Sequence, residues 1–418
     1  MSEVRYDPLT DAWVIMAPAR ESRPEELVEA QLPGPPVLPC PFCPGNEGQT
    51  PPPTLMISER GTNDADNWLV RVVPNKYAAV EALGKGDILP HSTPLLDDSA
   101  THELALFAAM FPGEMSASTP ADNGLSRTTH APDESSNISP SRNAGSKQPT
   151  KARRRRTPYQ DPSYFTPVGL SGGHEVIIES PLHVLSLSDL DLDQVVRVFE
   201  SYRLRLAHWF AQPDIQYAIV FKNVGAPAGA SLRHSHSQLI ATSLLPPRVR
   251  SVGQRLAEHH TAHGECLACG MIASELRLRQ RVVALTDHFV ALCPFASRLP
   301  YSIRVLPREH HSDFHELARH ELAEFAELVQ QLVRLLEALH VPAAYNYIIQ
   351  TRARDSVSTE AFHWHFELFP RLVKLAGFEW GSGSYINTVL PEAAASHLRN
   401  VLRRVRIGER RRSRQGAS

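Results

Sequence analysis

The segment FKNVGAPAGASLRHSHSQLIA, residues 221–241, decides the fold. It reads as the end of a β-branched strand, a loop of glycines and small residues, and a second strand that begins with His234 and His236. The same plan recurs downstream. Phe221 precedes His234 by 13 positions, and Gln350 precedes His363 of FHWHFELF by the same 13. Upstream of the first copy stands HEVIIES (174–180), followed by Leu192, Val195, Val196, Phe199, Tyr202, Leu206 and Trp209 at helical spacing, then YAIVFKN (217–223). Ser188 or Asp189 is placed to cap that helix and Pro213 to close it. In the second copy HFVAL (288–292) and YSIRVLP (301–307) precede a long amphipathic pattern from Phe314 to Leu339. YNYIIQ (345–350) and HWHFELF (363–369) follow. Duplication is the simplest account, and it predicts an α+β fold of two similar halves, each an antiparallel sheet with one long helix.

The rest of the chain fits that frame. At ~150 residues per domain, 418 residues suggest two or three domains, and the repeat divides them as 1–245 and 246–418. Short apolar patches such as WVIM (13–16) and WLVRVVP (68–74) predict strands joined by long loops in the first hundred residues. Residues 112–163 are rich in Ser, Thr, Pro, Asn and Asp and hold almost no large apolar side chain. They read as a disordered insertion, with Arg153 to Arg156 as a solvated basic run. The Arg-rich stretch Arg399 to Arg414 reads the same way, so 405–418 is expected to be a flexible basic tail. A net charge of −2 gives no overall field to draw the chain to nucleic acid or to a membrane surface. No apolar run nears the ~20 residues of a membrane span, and MSEVRYDPLTDAW lacks the shape of a secretory signal. A cytoplasmic location is therefore expected.

The cysteines point to metal. Four of the five form two C-x-x-C pairs, Cys40/Cys43 and Cys266/Cys269, while Cys293 in FVALCPFA is expected in the core. Zinc needs four ligands drawn from different elements. For the first pair the candidates are His174, His183, His234 and His236. Repeat logic selects among them. ESPLH places His183 after a strand, LPREH places His310 at the equivalent point, and His234 corresponds to His363. The two predicted sets are Cys40, Cys43, His183, His234 and Cys266, Cys269, His310, His363. His311, His288 and His315 are alternatives in the second set.

Between these sets lies the chemistry. Gly225, Gly229, Ala226, Ala228, Ala230 and Ser231 form a loop whose backbone N–H groups can surround an anion. On an extended strand His234, His236 and Gln238 share one face. A neutral imidazole beside such a cradle can attack phosphorus, and Gln238 can hold a phosphoryl oxygen without repelling it. The second copy has Glu367 at the position of Gln238 and no glycine in TRARDSVSTEAF. It is expected to keep the fold and the metal but not the nucleophile.

The motifs RYDPLTDAWVIMAPARESRP, CPFCPGNE, VVPNKYAAV, HEVIIESPLH, GASLRHSHSQ, FHWHFELFPR and GFEWGSGSYIN resemble those of the galactose-1-phosphate uridylyltransferase family of the histidine-triad superfamily. The resemblance covers most of the chain apart from 112–163 and the extreme C-terminus. It implies two histidine-triad-like halves and a homodimer. It also implies ping-pong transfer, in which His236 takes a uridylyl group from UDP-glucose and passes it to galactose 1-phosphate. His234 then resembles a zinc ligand, and the second metal site could hold iron instead of zinc. Arg20 and Arg23 match arginines near the diphosphate. Asn75 matches a nucleotide-binding asparagine, and Asn223 belongs to the same substrate-binding set. Gly229, Ala230, Ser231 and Leu232 match the phosphate loop and Gln238 the phosphate-holding glutamine. Lys374, Gly377, Phe378 and Glu379 fall where the family contacts substrate.

One residue departs from the family pattern. Where uridylyltransferases commonly carry His-Pro-His, this chain has His-Ser-His, as in the relative that acts as an ADP-glucose phosphorylase. Transfer of adenylyl to phosphate is therefore the alternative within enzymes, and dinucleotide hydrolysis a more distant one. A zinc-stabilised nucleic-acid-binding protein is the alternative from another class. The near-neutral charge and the absence of aromatics among the basic runs weigh against it.

Overall fold

The computed structural model describes residues 2–22, 39–59, 61–62, 67–81, 169–339 and 344–415. The expected insertion at 112–163 lies outside them. The first half contributes strands β1 (Glu3–Asp7), β2 (Ala12–Met16), β3 (Leu55–Ser58), β4 (Gly61–Thr62), β5 (Trp68–Pro74) and β6 (Gly172–Ile178). Helix α1 (Leu192–Phe210) then leads to β7 (Tyr217–Val224) and β8 (His236–Thr242). Two helices, α2 (Pro247–His263) and α3 (Leu267–Leu278), lead into β9 (Val282–Leu285), β10 (Phe289–Leu292) and β11 (Ile303–Pro307). Helix α4 (Arg319–Leu339), β12 (Tyr345–Gln350) and β13 (His365–Pro370) complete the repeat. Beyond it lie α5 (Gly377–Ser382), β14 (Tyr385–Asn387) and α6 (Pro391–Gln415).

Eleven strands form one antiparallel sheet in the order β4-β3-β5-β6-β8-β7-β12-β13-β11-β10-β9. The strand order reads alike from the middle outward, so the duplication is written into the sheet. Its centre is the β7–β12 pair, where Val220 stands opposite Ile349. These two residues are related by the same offset that carries His234 to His363, which puts the pseudo-twofold axis between them. The sheet therefore runs unbroken across the junction of the two sequence halves at residue 245.

Period-two alternation decides which side chains meet the helices. On β6, Ile177 enters the main core, whereas Val176 and Ile178 face the opposite side with Cys40, Phe42 and Trp68. On β8, Leu239 and Ala241 are core residues, which turns His236 and Gln238 to the face away from the helices. Helices α1 and α4 cover the core face and pack on each other. Phe199 of α1 meets Phe325 of α4 edge-on, and Phe325 also touches Phe289, Phe314, Trp364 and Phe366. Cys293 is fully buried in the same core.

Two sequence expectations are corrected. Neither Ser188 nor Asp189 caps α1; Asp191 does, accepting from the Gln194 N–H at 2.7 Å. Ser186 and Asp189 instead close a capping box on the short 3-10 turn Leu187–Asp189, one turn earlier. The basic stretch expected to be a flexible tail is helical as far as Gln415, as part of α6. Arg and Glu are good helix formers, and α6 begins against the body of the protein through Ala394, Ala395 and Leu398.

The termini of the chain are tied to the second half. β1 pairs with β2, and β2 with β14, in a three-stranded sheet separate from the large one. Asp7 reaches Arg304 of β11 at 2.6 Å, and Arg304 also grips Glu367 of β13 at 2.7 Å, all three being buried. Burial opposes both carboxylates, but Arg304 and the surrounding hydrogen bonds outweigh it and hold Asp7 and Glu367 below the ordinary carboxyl range. A carboxyl lowered in this way contributes stability above its unfolded pKa of about 4 and loses it as pH falls through the folded value. Urea midpoints should therefore drop from about pH 5 downward. The double variant Asp7→Asn, Glu367→Gln should be weaker at pH 7 yet show a flatter slope in that acid window.

Candidate active site

Two turns bring four ligands together in each half. Cys40 and Cys43 lie on a tight turn ahead of β3, in which the Cys43 N–H bonds the Cys40 carbonyl at 3.3 Å. Cys43 Sγ stands 3.2 Å from His183 Nδ1 and 3.6 Å from His234 Nδ1, and Cys40 Sγ is 3.7 Å from the latter. Ligands about 2.0–2.3 Å from a tetrahedral zinc would be about 3.5 Å apart, so this donor set fits that ion. The His234 Nε2–H donates to the Ser180 carbonyl at 2.8 Å, which leaves the Nδ1 lone pair turned to the thiols. The second group repeats the arrangement. Cys269 Sγ is 3.5 Å from His310 Nδ1 and 3.6 Å from His363 Nδ1, and His363 Nε2 faces the Pro307 carbonyl at 3.1 Å. In both groups all four ligand atoms lie within 4.8 Å of one another.

None of the alternatives to His310 belongs to the group of four. His288 bonds Glu324 at 2.5 Å, His315 stacks on Phe210, and His311 is not one of the four grouped ligands. Cys266 is the N-cap residue of α3, a helix that the sequence pattern did not suggest.

Between the metal group and Gln238 sits His236, 7% exposed. Its Nδ1 faces the His234 carbonyl at 2.8 Å, so the proton belongs on Nδ1 and the lone pair on Nε2. Phe42 packs edge-on against the ring at 5.3 Å. Burial is the main influence that lowers its pKa, which favours the neutral form. Gln238 is oriented by His174. The Ala79 N–H donates to His174 Nδ1 at 3.1 Å, which leaves the Nε2–H to donate to Gln238 Oε1 at 2.8 Å. The Gln238 amide N–H groups are thereby directed away from His174. Asn75 is 3.1 Å from the same His174 nitrogen.

The glycine loop stands on β7 with positive φ at Gly225 (81°) and Gly229 (84°). A Cβ at Gly225 would meet Ala344 at 3.0 Å, whereas one at Gly229 would meet nothing within 4 Å. Gly225 is therefore required by packing, and Gly229 by backbone conformation and open approach. The loop is held by the other half. Asn346 of β12 donates to the Ala228 carbonyl at 2.8 Å and to Asn223 Oδ1 at 2.7 Å.

The family is now decided by comparison. The family model described as Galactose-1-phosphate uridyl transferase, N-terminal domain, matches residues 91–246, and one for a domain of unknown function, DUF4921, matches 203–413. The ADP-glucose phosphorylase of Arabidopsis thaliana is 30% identical over 404 residues, covering 96% of this chain and 93% of that protein. The chain belongs to the galactose-1-phosphate uridylyltransferase family. Within that family it has features of the ADP-glucose phosphorylase-like branch. The Thermotoga maritima galactose-1-phosphate uridylyltransferase is 29% identical over 236 residues, covering 54% of this chain and 73% of that enzyme. A solved structure of the Arabidopsis ADP-glucose phosphorylase with bound ADP-glucose superposes with a TM-score of 0.66 at 28% identity, covering 96% of this chain and 98% of that one. The fold is thus that of a uridylyltransferase-family nucleotidyltransferase with two histidine-triad-like halves.

Family motifs outside the His236 cluster are distributed differently. Arg20 is exposed in the 3-10 turn Pro18–Ser22 that follows β2, and Arg23 lies outside the described residues. Lys374, Gly377, Phe378 and Glu379 sit on or just before α5, where Glu379 caps the helix through the Ala376 N–H. Among the described residues no hydrogen bond or ion pair joins them to β8. Leu232 and Cys43 pack against the Cys40–Phe42 cluster, while Ala230 and Ser231 complete the loop.

The residues that sequence reasoning missed lie beneath the start of β8. Lys222, 1% exposed, bonds Glu179 at 2.5 Å, Ser235 Oγ at 2.9 Å and the His236 carbonyl at 3.0 Å. Ser235 donates to the same Glu179 oxygen at 2.6 Å, and Tyr202 to its other oxygen at 2.9 Å. The signal was present, because Lys222 occupies a core-facing position in the alternation of YAIVFKNV, where a charge requires a partner. Ser235 explains the family departure physically. A proline there would lose the hydroxyl contacts to Lys222 and Glu179 and the 2.7 Å N–H bond to Val184. Lys222→Met would strand Glu179 without its cation in a fully buried site. It should cost about 3–5 kcal/mol in urea denaturation, and the double variant Lys222→Met, Glu179→Gln should recover part of that loss.

Proposed function

We propose that the protein transfers a nucleotidyl group from a nucleoside-diphosphate glucose through a covalent intermediate on His236 Nε2. The observation that carries this reading is the Nδ1 bond to the His234 carbonyl, which leaves a buried lone pair on Nε2 beside Gln238 and the glycine loop. In the first half-reaction Nε2 attacks the α-phosphorus, the N–P bond forms, and the P–O bond to the sugar phosphate breaks. The electron pair leaves on glucose 1-phosphate. In the second, a phosphate oxygen of the acceptor attacks the same phosphorus and the P–N bond breaks. Gln238, with its oxygen committed to His174, has N–H groups for a non-bridging oxygen. The backbone of Gly229 to Leu232 would hold the phosphates, with Asn75 and Asn223 as nucleotide contacts. Arg20, Arg23, Lys374, Gly377, Phe378 and Glu379 would complete substrate binding, and Arg20 and Arg23 would suit the diphosphate.

Of the two donor and acceptor pairs, ADP-glucose with inorganic phosphate is the one we favour. It is supported by the match to an ADP-glucose phosphorylase along nearly the whole of both chains and by the Ser235 contacts. UDP-glucose with galactose 1-phosphate is the second reading, supported by the uridyl transferase family model. Zinc would be held by Cys40, Cys43, His183 and His234, and a second zinc or iron by Cys266, Cys269, His310 and His363. Held by four protein ligands, such an ion would supply structure, joining the cysteine turn and the strand-end histidine to the start of β8.

Intact mass after mixing with ADP-glucose alone should show an added AMP that phosphate discharges, and His236→Gly should show none. An added UMP from UDP-glucose, discharged by galactose 1-phosphate, would establish the second reading. A His236→Gly protein that still turned over would overturn both. Chelation of the bound metal should lower the melting temperature, and His234→Ala should lose metal and stability together, measured by elemental analysis alongside thermal unfolding.

A further inference from the structure

The second half keeps a histidine, His365, at the position of the nucleophile. It is 4% exposed, with Nδ1 toward the His363 carbonyl at 3.3 Å, the same arrangement that fixes the tautomer of His236. Its Nε2 is buried and has no hydrogen-bond partner among the described residues. A buried ring nitrogen left in this state calls for a partner from outside the chain. It lines a cleft on the sheet face opposite α1 and α4, bounded by Thr10, by Arg248 and Val249 of α2, and by Arg298 and Gln350. The cleft has a volume of about 80 Å³, room for several waters or a small polar ligand, and opens to solvent at its mouth.

The charges around it sum in favour of an anion. Glu367, which the sequence suggested would repel a phosphate, is consumed: Oε1 by Arg304 at 2.7 Å and Oε2 by Arg298 at 2.9 Å. Asp7 is paired with Arg304 and Asp11 with Arg255. Among the described residues Arg248 meets no carboxylate; it donates to the Thr10 carbonyl at 2.6 Å and to the Tyr385 hydroxyl. A guanidinium carries five N–H donors, so those contacts leave others for a ligand. Covalent transfer is not expected here. The Gln238 position is occupied by Glu367, and no glycine loop faces His365.

We propose that this cleft is a second ligand site, separate from His236, for a small phosphorylated polyol. A ligand hydroxyl donates to His365 Nε2, and its phosphate meets Arg248 and the edge of Arg298. The site rests on its own geometry, independent of which nucleotide sugar the first half uses.

Calorimetric titration of the full chain with glucose 1-phosphate, in the absence of nucleotide sugar, tests the assignment. Val249→Trp, which fills the mouth from the surface of α2, should abolish one class of binding. Arg248→Gln and His365→Phe should each weaken that class about tenfold. Val249→Trp and Arg248→Gln should still form the nucleotidyl adduct, which shows them to be folded even if His365→Phe is not. Binding that is absent, or unchanged in Val249→Trp and Arg248→Gln, would overturn the site. Inorganic phosphate that binds this site as tightly as glucose 1-phosphate would overturn the hydroxyl contact to His365. Loss of the adduct with cleft binding intact would count against the transfer reading alone and leave this site standing.

Discussion

A lysine with no route to solvent underlies the reactive strand. Lys222 can be charged in the interior only because Glu179 faces it, and Glu179 only because Lys222, Ser235 and Tyr202 occupy its oxygens. Burial pushes the lysine down and the carboxyl up, and their mutual attraction with the surrounding hydrogen bonds opposes both effects. The third contact of Lys222 is the carbonyl of His236 itself. The strand that presents the imidazole is thus pinned from beneath at His236, while the ring points to the opposite face. Fixing backbone and tautomer separately is how a lone imidazole is held ready to attack.

Duplication makes the role of that underlay visible. The second half has the same strands, the same metal group and a histidine in the same tautomer. In place of Glu179, Lys222 and Ser235, however, it has Leu306, Thr351 and Trp364, all three buried. Trp364 packs among Phe289, Phe314 and Phe325, so an ion-pair network in one half corresponds to an aromatic cluster in the other. One frame therefore supports reactivity on one side and packing on the other. The ionic cluster on the second side, Asp7 with Arg304 and Glu367, lies on the outer face and fastens the N-terminal strand instead.

The halves are not independent machines. Asn346, on the far side of the pseudo-twofold axis, holds the loop beside the nucleophile through Ala228 and Asn223. The central β7–β12 pair buries the axis itself, and α1 and α4 close over it from one face. A change at the centre of the second half is thereby felt at the loop of the first.

The sequence by itself determined the repeat, the grouping of both Cys-His sets and the glycine loop beside His236. These are local signals. Alternation, helical spacing and fixed offsets between ligand types survive in one dimension because each is imposed by the backbone or by the coordination number of a metal. Helices α2, α3 and α6 were not legible: α2 and α6 are rich in polar residues, α3 is a short apolar run, and each depends on packing against partners distant in the chain. The caps of α1 were misplaced by one turn for a related reason. Two candidate caps were adjacent, and only the geometry of the 3-10 turn assigned each its helix. What tertiary structure alone decided was pairing: which buried charge meets Lys222, which residue orients Gln238, which asparagine reaches across to the loop, and that Glu367 is neutralised. A charged or amide side chain in a sequence states a need for a partner without naming it, and only the folded chain, by bringing residues dozens to hundreds of positions apart within 3 Å, supplies the name.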